Sequence, residues 1–182
     1  MGLELNEGAL SFVFGDKMTV VKFDGSSYYR KRYCGGESNQ PKGIDFTICS
    51  DQLFIMLEVK DYRGRDKRRV TTRELIDDFR QKVQHTLAGL VGACHTEASD
   101  ADWKRLAHAM IHARPRIVLW LEEERQTNRA NVHRMKNMRD TLQKSLSRRM
   151  RWLSTDVRLV WLDNYRDVLP DLIVTDMQEH SA

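Results

Sequence analysis

The sequence predicts an α/β fold in which a mixed β-sheet is flanked by helices. Three observations carry this expectation: two adjacent strand-like runs at 43–49 and 53–60, amphipathic helical stretches that follow them, and short apolar strand signals between and after those helices. With 182 residues and 41% hydrophobic content, the chain is long enough for one well-buried core. A single domain over 1–182 is therefore expected.

Taken in order, residues 6–14 open either a short helix capped by Asn6 or a strand rich in aromatic and β-branched residues. Residues 19–23 read as a strand that ends at the turn signal Asp24-Gly25. The polar, basic, glycine-bearing stretch 26–40 reads as a loop or short helix. The runs 43–49 and 53–60 follow, joined by Ser50-Asp51-Gln52. A capping box, Thr71-Thr72-Arg73-Glu74, starts a helix over about 72–94, whose apolar stripe runs from Leu75 and Ile76 to Val91 and Cys94. A second helix starts at Ser99-Asp100-Ala101-Asp102 and buries Trp103, Leu106, Ala107, Met110 and Ile111; Arg114-Pro115 ends it. His108 and His112 have metal-ligand spacing, but they point away from that stripe and lack a nearby glutamate base, so zinc is not expected.

Residues 117–121 are a short buried strand ending in three glutamates. A third helix over about 128–151 buries Val132, Met135, Met138, Leu142, Leu146 and Met150. Its polar face carries Arg129, Arg134, Lys136, Arg139, Lys144, Arg148, Arg149 and Arg151 against the single acid Asp140. A one-sided cationic helix suits a phosphate backbone or an acidic partner, and equally a solvated face. Residues 156–162 form a last core strand, and 164–182 are amphipathic, packed to about Thr175 and frayed beyond.

Thirty Lys and Arg against 26 acidic residues give a net charge of +4, and the pI is near 9.0. This balance permits nucleic-acid binding. Three cysteines without paired spacing, Cys34, Cys49 and Cys94, argue against a disulfide framework and for a reducing compartment. An acidic N-terminus that lacks a cationic region followed by an apolar run argues against a secretory signal, and no stretch approaches a membrane span. A cytoplasmic protein without membrane contact is expected.

The central pair of strands carries the chemistry. An antiparallel hairpin hinged at 50–52 sets Ile48 opposite Ile55, Phe46 opposite Leu57 and Asp45 opposite Glu58. Alternation then puts Ile44, Phe46, Ile48, Ile55, Leu57 and Val59 on one apolar face, and Asp45, Glu58 and Lys60 on the other. Carboxylates whose Cβ atoms lie about 5 Å apart repel unless a cation sits between them. Magnesium, which takes carboxylate oxygens and keeps several waters, is the natural candidate, and a lysine two residues past a ligand can hold one of those waters. Beyond this hairpin Arg63, Arg65, Lys67, Arg68 and Arg69 hang where phosphates would lie.

This arrangement, Asp45 on one strand and Glu58-Val59-Lys60 on the next, resembles the PD-(D/E)XK nuclease superfamily over about residues 4 to 122. Ile44 stands where the superfamily name has proline. The resemblance implies a restriction-endonuclease-like core and hydrolysis of nucleic-acid phosphodiesters, with DNA favoured over RNA. Asp45 and Glu58 would hold Mg2+ or Mn2+, and Lys60 would position the attacking water. It further implies an N-terminal helix that adds an acid, Glu7 or Glu4, and a polar residue from the helix after the second strand, Lys82 or Gln84, which lie on opposite edges of its apolar stripe. A chain without a separate target-recognition domain would draw specificity from a homodimer or a partner protein. The rival expectation is a nuclease-fold module, or a subunit of a larger complex, that binds nucleic acid without cutting it. The intact Asp, Glu and Lys set argues against that.

Overall fold

The computed structural model describes residues 2–23, 25–34, 41–50, 52–64, 70–96 and 101–178. They form three layers. A three-stranded antiparallel sheet contains β1 (Leu3–Glu7), β2 (Leu10–Phe14) and β8 (Leu172–Asp176) in the order β1-β2-β8. A five-stranded mixed sheet contains β3 (Thr19–Lys22), β4 (Phe46–Cys49), β5 (Phe54–Asp61), β6 (Pro115–Glu122) and β7 (Val157–Val160) in chain order. Its first three strands are antiparallel, and β5, β6 and β7 run parallel. Such parallel pairs need crossovers. α1 (Thr72–Cys94) and α2 (Ala101–His112) connect β5 to β6, and α3 (Arg129–Met150) connects β6 to β7.

The larger sheet is buried on both faces. Phe46, Ile48, Ile55, Leu57, Val59, Val118 and Trp120 pack against Leu10, Phe12 and Phe14 of the small sheet. Phe54, Met56, Ile117 and Leu119 point the other way, onto Phe79 and Val83 of α1, Trp103 of α2 and Leu142 and Leu146 of α3. Each fully buried Leu or Phe contributes about 1.5–3 kcal/mol, so the two cores hold the central strands far more firmly than their edges. The expected hairpin register is present: Phe46 faces Leu57, Ile48 faces Ile55, and Ser50 N donates to Leu53 O at 3.0 Å.

Several expectations are resolved or corrected. Residues 6–14 take the strand alternative and not the helix: Leu10, Phe12 and Phe14 point inward on alternate positions, and Gly8, at φ +60°, makes the tight turn from β1 into β2. The N-terminal helix implied by the resemblance is therefore a hairpin. Ile44 does not share the face of Phe46; the chain bends at Asp45 and carries Ile44 into the helix-side core. Residues 172–176 do more than pack amphipathically, because Leu172–Asp176 pairs along the whole of β2. The N-terminal half of α3 runs beyond the sheet, leaving Val132 48% and Met138 37% exposed while Leu142, Leu146 and Met150 are buried. Ile111 of α2 and Val91 of α1, at the far ends of their stripes, are also exposed. The Ser99-Asp100 cap lies outside the described residues. Among the described residues no helix is long and apolar enough to cross a membrane.

Candidate active site

The strand that carries Asp45 leaves the hairpin ladder just before β4 begins. Continued antiparallel pairing would bring the Ile44 carbonyl to Val59 N–H. Instead Ile44 N donates to Thr86 Oγ1 of α1 at 3.0 Å, and Val59 N donates to Asp45 Oδ2 at 2.6 Å. The Asp45 side chain thus takes the place of a backbone acceptor and is held at the end of β5. Phe23 seals this bend: its backbone N–H donates to Asp45 O at 3.0 Å. Its ring lies so close to Gly43 that a Cβ there would stand 1.9 Å from Phe23 Cδ1.

Glu58 projects from β5 toward the helices and is 0% exposed. Its Oε1 accepts from two lysines, Lys82 Nζ of α1 at 2.6 Å and Lys60 Nζ at 2.8 Å. Lys82 also stands 3.8 Å from Asp45 Oδ1. Among the described residues, the cation between the two carboxylates is therefore the Lys82 ammonium. Glu58 Oε2 is buried and has no hydrogen-bond partner among the described residues. Leaving a buried carboxylate oxygen so is expensive, and an ordered water or a bound ion would relieve it. Asp78, one turn before Lys82, completes the cluster at 3.6 Å from both Lys60 and Lys42.

The charges perturb each other in consistent directions. Burial first, then the Glu58 charge and more weakly Glu7, push the Asp45 carboxyl up to about 7 against the pull of Lys82 and of the Val59 N–H. Burial works against the Lys60 ammonium, but Glu58, Asp78 and Asp45 outweigh it and hold its pKa above the ordinary lysine value. Lys60 is thus a firm cation and hydrogen-bond donor, not a base. Burial raises the phenol of Tyr62, which follows β5 and feels Lys60, Asp78, Glu58 and Glu123.

Of the other expected site residues, Lys82 is on the edge of α1 that faces the strands, with Asp78 and Thr86; Gln84 is exposed on the opposite edge. Glu7, at the tip of β1, pairs with Lys22 at 2.8 Å, and Glu4 accepts from Ser11 Oγ at 2.6 Å. Arg63 needs correcting as a phosphate contact. Its side chain is 10% exposed, donates twice to Asp61 and also binds Asp176, so it ties the end of β5 to β8. Arg65, Lys67, Arg68 and Arg69 lie outside the described residues. Arg148, Arg149 and Arg151 are exposed at the C-terminal end of α3, with Arg149 3.9 Å from Asp77. Arg139 leaves the cationic face and turns inward over Trp161. The His108 and His112 rings lie 4.2 Å apart at a tilt of 43°, and among the described residues no group of three or more His, Cys, Asp or Glu side chains is set to hold a metal.

Asp78 was within reach of sequence reasoning, since Asp78, Lys82 and Thr86 repeat every four residues along one border of the α1 stripe. The described residues thus form a mixed α/β protein of two sheets and three α-helices, with an acid–lysine cluster at the end of the central strand. No family model, curated protein or solved structure matches it.

Proposed function

We propose that the chain is a metal-dependent nuclease that hydrolyses nucleic-acid phosphodiesters, on a restriction-endonuclease-like core. One observation carries the proposal: Glu58, wholly buried and with an Oε2 that has no hydrogen-bond partner among the described residues, shares Lys82 with Asp45 and contacts Lys60 near the C-terminal end of β5. An oxygen-only donor set suits a hard divalent cation. Two carboxylates suffice for magnesium, which keeps waters and shares substrate phosphate oxygens. Asp45 and Glu58 would hold Mg2+ or Mn2+, which when bound supplies positive charge to the phosphate under attack.

The remaining chemistry belongs to the chain. Lys60, held protonated by its acidic neighbours, donates to the attacking water and orients it, and it stabilises negative charge that develops on the phosphate. Asp78 fixes the Lys60 ammonium from the helix side. Lys82 neutralises the carboxylate pair until a second cation arrives. DNA is the preferred polymer on the resemblance alone, and a homodimer or a partner protein would supply sequence specificity.

A second reading has its own support. Both lysines already satisfy Glu58 Oε1, which is what a closed ion-pair network in a non-cutting binding module would show. A panel of labelled linear, circular, branched and single-stranded substrates, with magnesium, manganese or chelator, decides between them. The nuclease reading expects metal-dependent cleavage of at least one substrate. Binding without cleavage under every condition supports the module.

A further inference from the structure

The parallel strands β5 and β6 end together, with Asp61 beside Glu122, and Tyr62 N donates to Glu122 O at 2.8 Å. Glu123 is therefore the first residue past the strand ends, near enough to Tyr62 for its charge to act on that phenol. Here a cleft opens between the segment 122–127 and the protruding N-terminal half of α3. Its two lobes, of about 420 and 360 Å3, share Glu123, Gln126 and Met135 on their walls. Arg134 and Met138 line the first lobe, and Val132, Arg139 and Trp161 the second. Both volumes fall in the range of about 300–1,000 Å3 typical of small-molecule sites.

Inside it lies an unfinished ion pair. Glu123 Oε2 and Arg139 Nε are 3.8 Å apart, too far for a hydrogen bond, on side chains only 10% and 15% exposed. Both atoms are buried and, among the described residues, without a hydrogen-bond partner. The Arg139 guanidinium carbon stands 4.2 Å from the Trp161 ring centre, a cation–π contact that helps to hold it in place. A planar ligand with apolar faces against Met135 and Val132, and with a donor for Glu123 and an acceptor for Arg139 along one edge, would complement this cleft. Nucleobases have this combination, and proteins that read unpaired strands stack bases on aromatic rings and guanidinium planes.

We propose that this cleft takes an unstacked nucleobase of the strand being cut, so that the substrate is single-stranded or locally opened nucleic acid. The proposal rests on the nuclease reading for the word "cut", but the cleft's ligand class does not. Arg134, on the rim, meets the phosphate that accompanies the base.

The test has two arms. In the first, single-stranded oligonucleotides with one abasic position moved stepwise past the cleavage point, and a blunt duplex, are compared with intact single strands. At one position loss of the base lowers kcat/KM at least tenfold, and the duplex is cut at least tenfold more slowly. Glu123→Gln changes the order of preference among the four bases at that position; Met135→Ala, a milder change, lowers the rate for all four bases together. In the second arm, 5′-mononucleotides, with inorganic phosphate as the control, are titrated into metal-free protein while the Trp161 indole and Arg139 Nε–H signals are followed by NMR. Shifts with nucleotides and not with phosphate support the cleft even if no substrate is ever cleaved, in which case the nuclease reading alone fails. Cleavage that ignores the abasic position, or unmoved Trp161 and Arg139 signals with all four nucleotides, overturns the inference.

Discussion

Replacing Asp45 by asparagine isolates the energetic consequence of the carboxylate pair. In the folded protein Asp45 is buried beside Glu58 and its pKa rises from the ordinary 3.8 to about 7. Between those values the folded state keeps a proton that the unfolded chain has released. The native state then binds more protons than the unfolded state, so stability falls as pH rises through this window and levels off above it. At about 1.4 kcal/mol for each pH unit, metal-free wild type loses about 4 kcal/mol between pH 4 and pH 8 through this group. Asp45→Asn removes the charge and keeps an oxygen that accepts from Val59 N–H. The variant is expected to match wild type near pH 4 and to exceed it by about 2–4 kcal/mol at pH 8. Urea melts of both proteins in chelator from pH 4 to 8 measure the difference. A variant less stable than wild type at pH 8, beside a wild type whose stability is flat with pH, would refute the like-charge account.

Magnesium at ten times its Kd should raise the stability of wild type by about 1.4 kcal/mol at pH 8, and that gain should vanish in Asp45→Asn, as thermal melts with and without metal will show. Because Asp45 must ionise to hold a cation, kcat/KM at subsaturating magnesium should fall about tenfold per pH unit below about 7, read from a pH–rate profile. Lys82→Met leaves the buried Glu58 with one ammonium in place of two and should cost about 3 kcal/mol in a denaturant melt; a change under about 0.5 kcal/mol would contradict the buried-pair geometry. Neutralising Arg148, Arg149 and Arg151 together should weaken nucleic-acid binding for every sequence and flatten its dependence on salt, whereas an unchanged slope makes that end of α3 a solvated face.

The parts of the fold that were legible in the sequence are those where local chemistry and tertiary packing agree. The register of β4 on β5 followed from the turn at 50–52 and the alternation of Phe46, Ile48, Ile55 and Leu57, and the start of α1 followed from Thr71 and Glu74, whose reciprocal capping bonds are present. The misses occur where a distant partner decides. Asn6 offers a helix cap, but β2 is held by β8 from the far end of the chain, a pairing that no local pattern announces. Ile44 changes face because Thr86 and Phe23 bend the chain there. At the candidate site, Asp45, Glu58 and Lys60 came from strand alternation alone. Choosing Lys82 over Gln84 needed the pitch of α1 against the sheet, and Arg63 read as a free cation only because Asp176 is remote in sequence. Arg139 likewise belonged to a cationic stripe until Trp161 of the following strand end turned it inward.

The most direct measurement of the central claim is a paired turnover assay on the best substrate, comparing wild type with Lys60→Ala at saturating magnesium while strand affinity and melting temperature are followed in parallel. Lys60 contacts the buried Glu58 at 2.8 Å, so its loss should lower the melting temperature, as loss of Lys82 does, while the variant stays folded at assay temperature, keeps strand affinity and has its kcat lowered by about 10²–10⁴. Wild-type cleavage that stops in chelator, with that loss in the variant, is the expected result. Equal turnover in the two proteins, or no cleavage by wild type with either magnesium or manganese, would contradict it.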